Sequence, residues 1–493
     1  MRRLVTIVAV ILVSGWSSQM GRADHISAPA EFAEIKAYVE EQLSEGAAPS
    51  VAVAVMKDRK VVWAEGFGFA DLEAKTPATA DTIYWLASVS KPITGTGLMI
   101  AKDRGLVELD APANRYLRSS KIRSAFGSAD EITIRRLGNH TSGLPLHHNF
   151  FYNDVSPPPM DETIRRYAFA ATEPGTHYQY SNLGFGILHY VTETVSQTPW
   201  PEFMRKNLFD PLGMTHTSVG VRPELKAHGA APYTKDVGGR FVRVGLYDFD
   251  HPGASAIWSS ANDLARFLMM HMNGGELDGV RILSENSAAE MQTSTDAISP
   301  NYSVGWGTAL VFGHRALTHT GGMPGVSTIV RGWPEEGAAL VVLTNGDGHG
   351  MTGEVSERIG SHLFPDAKGP RPSVKVPSST SVQRFVGRWK GELVHFDGNI
   401  PVELNVEDKK TVRIRFGTAS RQLVQDLELD RKTLSGQFKG KLRTQPSFHG
   451  TCDIRLRLTV EEDRMTGVGI AMADGYFALS HWMALKRISE DAP

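Results

Sequence analysis

Ser88-Val-Ser-Lys91 puts a hydroxyl and an amine three residues apart. On a helix, residues i and i+3 share a face, so both groups point into one space. Pro92 suits a first helical turn, apolar residues run to Ile100, and Gly105 stands past the end. A helix is therefore predicted to start here. An amine kept from water has a lowered pKa and can take the hydroxyl proton. A serine at a helix N-terminus also places its own N–H near a developing oxyanion. Alone, the motif says little, because about one Ser-x-x-Lys is expected by chance at this composition.

Two further segments change its meaning. Tyr180-Ser181-Asn182 lies in a loop-like stretch before an apolar helical run. Its phenol can relay a proton, and its amide can grip a substrate carbonyl or amide. Taken by itself, the triplet reads as a buried aromatic and a turn asparagine. His319-Thr320-Gly321-Gly322 ends a predicted strand. The glycines let a substrate backbone lie close, and strand N–H groups can complete an oxyanion hole. His319 by itself would be a structural histidine.

These residues need a scaffold, and the hydrophobic pattern supplies one. Phe32, Ile35, Val39 and Leu43 mark one face of a helix over 31–45, stopped by Gly46. Val51–Val55 and Val61–Trp63 flank Lys57-Asp58-Arg59-Lys60 as a hairpin. Asn262-Asp263 is expected to cap a helix that Gly274-Gly275 ends. Strands are predicted at Val304–Val311, Ala316–Thr320, Val326–Trp333 and Ala338–Thr344, then a helix with Val355, Ile359 and Leu363 on one face. Strands at both ends with helices between predict an α+β domain, one antiparallel sheet flanked by helices with a helical insertion. Residues 366–380 read as a linker. Beyond it, Val402, Leu404 and Val406 alternate with polar residues, as do Val412–Phe416 and Ile454–Val460. That period predicts a second, all-β barrel over 381–493.

The chain has 493 residues, 41% hydrophobic and 22% charged, with a formal net charge of −2. Such a composition excludes a disordered or fibrous chain and gives no electrostatic reason to expect a nucleic-acid partner. Its one cysteine, Cys452, excludes an intrachain disulfide and any cysteine-built metal site. Arg2 and Arg3 precede a short apolar run, Leu4–Val13, and small or polar residues follow to Ala23. Residues 1–23 thus read as a secretory signal peptide, and the mature chain as periplasmic or secreted, without stable membrane insertion.

As a set, the motifs resemble the penicillin-recognising serine hydrolases: class C β-lactamases, D,D-peptidases, related esterases and D-amino-acid-specific peptidases. Leu86–Gly95, Gly105–Pro112, Asn139–Pro145, Pro174-Gly-Thr, Pro211-Leu-Gly-Met, Trp258–Phe267 and the His319 strand carry the resemblance, which covers roughly residues 30 to 365. It implies a β-lactamase-like domain over 24–365. It implies Ser88 as nucleophile and Lys91 and Tyr180 as proton carriers. The backbone N–H groups of Ser88 and Gly322 would form the oxyanion hole, with Asn182, His319, Thr320 and Gly321 on the substrate. No cofactor or metal is implied, and the partner is a small-molecule, peptide or ester substrate. Some peptidase-type relatives also carry a C-terminal barrel, and residues 381–493 look lipocalin-like.

One departure narrows the substrate. Most β-lactamases and D,D-peptidases of this family have lysine where this chain has His319. Histidine is mostly neutral at pH 7, so attraction for a substrate carboxylate weakens. The leading expectation is therefore hydrolysis of amides or peptides, including those with D-residues, or of small esters. A class C-like β-lactamase is the alternative, and a penicillin-binding sensor that acylates without turnover is another.

Three weaker signals remain. His147-His148 suggests a metal, but lacks a His-Glu-x-x-His pattern or a nearby carboxylate pair, and reads as a loop near the cleft. Trp389 and Trp482 read as barrel core rather than a ligand pocket. Phe150-Phe151-Tyr152 reads equally as substrate wall or core under a loop.

Overall fold

The computed structural model describes residues 25–152, 155–220, 227–367, 382–442, 450–473 and 475–488. The expected signal segment 1–23 lies outside them, as does the expected linker except Asp366 and Ala367.

The first helix, α1 (Ala33–Ser44), buries Ile35 and Val39 and gives way to Gly46 at φ +77°. Strands β1 (Ser50–Lys57) and β2 (Lys60–Asp71) form the expected hairpin. Asp58 and Arg59 both take positive φ at its tip, the geometry of a two-residue turn that follows strand twist. β1 is buried from Ser50 to Met56 because both its faces are covered. Val51, Val53 and Val55 enter one core, while Ala52, Ala54 and Met56 enter another.

Next come α2 (Ser90–Asp103), β3 (His147–Tyr152), α3 (Asn182–Ser196), β4 (Tyr247–Phe249), α4 (Pro252–Ser255) and α5 (Ala261–Met272). The chain then returns to the sheet as β5 (Leu317–Met323), β6 (Val326–Trp333) and β7 (Ala338–Thr344), followed by α6 (Gly350–Leu363). The sheet runs β5-β6-β7-β1-β2, with the two-residue strand Thr76–Pro77 outermost. α1 and α6 share one core with the sheet, through Val39, Val355 and Ile359. α2, α3 and α5 share the other, so the insertion covers the opposite face.

Two expectations are corrected. Asn262-Asp263 does not cap α5; Ser260 does, accepting from the Asp263 N–H at 3.2 Å. Of the strand expected over Val304–Val311, only Leu310–Val311 forms one, pairing with His314–Arg315. Gly305, at φ +86°, turns the chain, and a Cβ there would lie 2.8 Å from the Lys91 carbonyl. Close packing on α2 thus overrides the apolar run.

The C-terminal strands are β8 (Gly387–Leu393), β9 (Ile400–Val406), β10 (Val412–Phe416), β11 (Gln422–Leu423), β12 (Gln425–Asp430), β13 (Thr433–Gly440), β14 (Cys452–Glu461), β15 (Arg464–Ala473) and β16 (Phe477–Ile488). They form a nearly closed antiparallel barrel in the order β11-β10-β9-β8-β16-β15-β14-β13-β12. Alternation is clean in β14, where residues from Cys452 to Val460 are buried at every second position. Trp389 is fully buried and donates to the Phe385 carbonyl at 2.8 Å.

The barrel also pairs outside itself. Phe477, Ala478 and Leu479 of β16 oppose Asn149, His148 and His147 of β3. β3 in turn pairs with β4. His147–Tyr152 is therefore a strand rather than a loop, and it joins the barrel to the insertion. Trp482 packs on this seam against Phe126 at 5.2 Å, not in the barrel interior.

Candidate active site

Ser88 sits in a tight 3-10 turn, Ala87–Val89, that feeds α2. Ala87 has φ +49°, an unfavourable backbone for a residue with a Cβ, so the turn before the serine is strained. Lys91 is fully buried one turn later, and its Nζ donates to Ser88 Oγ at 3.0 Å. A second bond reaches the Ala254 carbonyl on α4 at 3.3 Å. Thr94 holds the same segment through the Gly253 carbonyl at 2.6 Å. No carboxylate pairs with Lys91 among the described residues. Burial therefore drives its pKa well below the usual lysine value.

Tyr180 sits beside Ser88, and its ring lies 4.7 Å from Lys91 Nζ. Burial raises the phenol pKa, so its proton stays on the oxygen. Shifts in these directions suit the amine to act as a base and the phenol as an acid. His140 braces this arrangement. Its ring packs at a tilt against that of Tyr180, centroids 4.3 Å apart, and its Nδ1 accepts from the Ser181 N–H at 3.1 Å.

On the sheet side, β5 runs beside the Ser88 turn. A Cβ on Gly321 would lie 2.2 Å from the Leu86 carbonyl and 3.1 Å from the Ser88 nitrogen, so only glycine permits this approach. Gly322 and Thr320 are exposed on the neighbouring positions. A Cβ on Gly322 would meet His349 Nε2 at 2.7 Å. His319 is buried and spends both ring nitrogens on the protein. Nδ1 meets the Thr320 carbonyl at 2.8 Å, and Nε2 meets the Tyr302 hydroxyl at 2.9 Å. Burial and the nearby Lys91 hold its pKa down at about 3, so it is uncharged.

Asn182 opens α3 behind the Ser181 cap and is fully buried. Its Nδ2 donates to the His147 carbonyl at 2.8 Å and meets His148 Nδ1 at 3.1 Å. The other face of β3 is locked from behind. His147 Nε2 and His251 Nδ1 each meet one oxygen of Asp250 at 2.8 Å, and Asn149 donates to the second at 2.6 Å. His147, Asp250 and His251 lie close enough to hold a metal. Their mutual hydrogen bonds account for that closeness without one. Asp250 stays ionised, its carboxyl held far below the usual range by both histidines against the opposing effect of burial.

Ser88, Lys91, Tyr180, Asn182 and the 319–322 segment are thus brought together, as the motifs require. Sequence reasoning missed His140, Asp250, His251, Tyr302 and His349, and read His148 only as part of a loop near the cleft. His140 stands inside a quoted motif, Asn139–Pro145, and was within reach. The others arrive through pairings remote in sequence.

Penicillin-binding protein 4* of Bacillus subtilis (strain 168) is 26% identical over 313 residues, covering 58% of this chain and 65% of that protein. The curated relatives are thus spanned over 65% of their own length. The octameric penicillin-binding protein homologue from Pyrococcus abyssi superposes with TM-score 0.57 at 22% identity, over 92% of this chain and 99% of that one. EstCE1, a hydrolase with promiscuous acyltransferase activity, gives TM-score 0.58 at 22% identity, over 68% and 98%. These two share the fold. The Beta-lactamase family profile matches residues 35–361, and the chain belongs to that family of β-lactamase-fold serine hydrolases.

Proposed function

We propose that the chain is a secreted serine hydrolase that cleaves amide, peptide or ester bonds through an acyl-serine intermediate. The observation that carries this reading is the buried Lys91 amine, its pKa well below the usual lysine value, at 3.0 Å from Ser88 Oγ and 4.7 Å from the Tyr180 ring. Lys91 takes the Ser88 proton as Oγ bonds to the substrate carbonyl carbon. The N–H groups of Ser88 and Gly322 receive the oxyanion. Tyr180 passes a proton to the leaving nitrogen or oxygen as its bond to carbon breaks, and is reprotonated through Lys91. Water repeats the sequence to release the acid. Thr320, exposed on β5, is the group on that strand available to the leaving side, since both His319 nitrogens are engaged. An uncharged His319 offers no cation to a substrate carboxylate, which favours esters and amides over anionic β-lactams. The apolar leader within residues 1–23 supports export.

The test is a substrate panel on purified protein: p-nitrophenyl esters, D-amino acid p-nitroanilides and nitrocefin, with fluorophosphonate labelling mapped by peptide analysis. Label on Ser88 and turnover of esters or anilides is expected. Nitrocefin turnover alone would favour the β-lactamase alternative, permanent labelling without turnover the sensor. An unlabelled Ser88 would sink the hydrolase reading.

A further inference from the structure

Lys91 Nζ donates to Ser88 Oγ at 3.0 Å and to the Ala254 carbonyl at 3.3 Å. The second bond sets where the amine stands, so whatever places Ala254 places the base. Ala254 lies in α4, a single turn of four residues. A helix that short does not hold itself in water, and its position comes from its anchors. Thr94 takes the Gly253 carbonyl at 2.6 Å. Downstream, the Ile257 N–H donates to Ser90 Oγ at 3.1 Å, and the Ile257 carbonyl accepts from the Leu86 N–H at 2.9 Å. Residues 252–257 thus lie along the Ser88 turn.

Upstream, the anchor is Asp250. One carboxylate oxygen accepts from His251 Nδ1, at the entry to α4, and from His147 Nε2; the other accepts from Asn149. His147 and Asn149 belong to β3, which pairs with both β4 and β16. The carboxylate thus ties the entry of α4 to a strand that two others hold. It is fully buried, and no lysine or arginine pairs with it among the described residues. Burying such a charge is costly, and for packing alone an apolar side chain serves as well. What the charge adds is direction: it orients two imidazole N–H groups at once, and with the His251 ring the backbone that follows it.

Resting on the serine hydrolase reading, we propose that Asp250 is a positioning residue for the Lys91 base. Acting through His251, it holds α4 against β3 so that the Ala254 carbonyl keeps Lys91 Nζ on Ser88 Oγ. It touches no reacting atom. With the link cut, α4 loosens, the amine swings off the hydroxyl and water reaches it.

Removing the carboxylate outright endangers the fold, so the link is cut at His251 in the full-length protein. The readout is the rate of Ser88 labelling by a fluorophosphonate, followed across pH. The titratable groups beside Lys91 are Tyr180, His140, His148, His251 and His319. Burial keeps the phenol protonated and these four histidines neutral, so the midpoint of the profile reports Lys91. His251→Leu should slow labelling at neutral pH about 10- to 100-fold. Its midpoint should move up by about one pH unit, because water weakens the burial that depresses the amine. His251→Asn is close in size to the leucine variant and returns an N–H donor at the Nδ1 position, so it should recover most of the rate and the midpoint. Asp250→Asn, with one acceptor left, should fall between. Equal losses in His251→Leu and His251→Asn, or slowing with an unmoved midpoint, make the contact merely structural and overturn the proposal. A wild-type rate in either His251→Leu or Asp250→Asn does the same. A wild type that takes no label on Ser88 defeats the hydrolase reading and this one with it; a labelled wild type with any of those outcomes defeats this one alone.

Discussion

The catalytic unit and the barrel bury very different things. The first hides Lys91, His140, Asn182, Asp250, His251, Asp263 and His271 among its apolar side chains. The barrel, among the described residues, buries three polar side chains: His395, Ser480 and His481. All three lie at the seam. Ser480 donates to the Leu146 carbonyl at 3.0 Å, and the His395 and His481 rings meet beside Tyr167. An apolar interior costs nothing in unmet hydrogen bonds but offers no chemistry. A polar interior is expensive to build and tunes reactivity. The barrel meets the first unit through its outer surface, where β16 pairs with β3.

This contrast can be broken by experiment. The largest effect belongs to the polar interior: Ser88→Ala should abolish turnover, and Lys91→Ala and Tyr180→Phe should each cost about 10²- to 10⁴-fold in kcat. Their unfolding midpoints should stay near wild type. A near-normal rate in Lys91→Ala would remove the base from the mechanism. Because the Lys91 pKa is depressed, kcat/KM should rise with pH as the amine loses its proton and level off well below the usual lysine range. An activity that climbs until pH 10 contradicts a dry amine.

In the apolar interior, Trp389→Ala removes a fully buried ring, and should cost about 3–5 kcal/mol by denaturant titration. A cost under about 1 kcal/mol would show that the barrel core is not well packed there.

Asp263 sharpens the comparison through pH. Burial pushes its carboxyl up to about 7, although Thr217 and the His216 N–H bond to it. The folded chain then keeps a proton that the unfolded chain releases near pH ~4. Stability from this group is complete below about pH 4 and is lost as pH rises towards 7. Asp263→Asn keeps one acceptor and should remove that loss, on the order of 2–4 kcal/mol between the two pH values. Parallel stability–pH curves for the variant and wild type would refute the shift.

The smallest effect is at the seam. Ser480→Ala deletes one bond to Leu146 and should cost about 1 kcal/mol, with a measurable rise in KM as β3 loosens. An unchanged KM would separate the barrel from the cleft.

Local rules made much of this visible beforehand. Ser88 and Lys91 lie one turn apart, the β1–β2 hairpin is continuous, and alternation marks the barrel strands. Each depends on neighbours in sequence. The failures share the opposite cause. Gly305 turns an apolar run because α2 lies against it, and no local pattern encodes α2's proximity. His148 meets Asn182 because β3 is stretched between β4 and a strand more than 300 positions downstream. Tyr302 meets His319 by the same kind of long-range placement. Spacing showed which side chains could react; only the assembled fold showed which of their hydrogen bonds were already spent.

The pairing of His147–Leu479 and its neighbours also sets an order of events during synthesis. A ribosome finishes the Ser88 turn long before it reaches Phe477. Until then one edge of β3 has no ladder to join, and an open edge invites pairing with other chains. The nascent protein thus carries its reagents early and its scaffold late. Chains truncated before residue 477 should accumulate as aggregates rather than as slow enzymes.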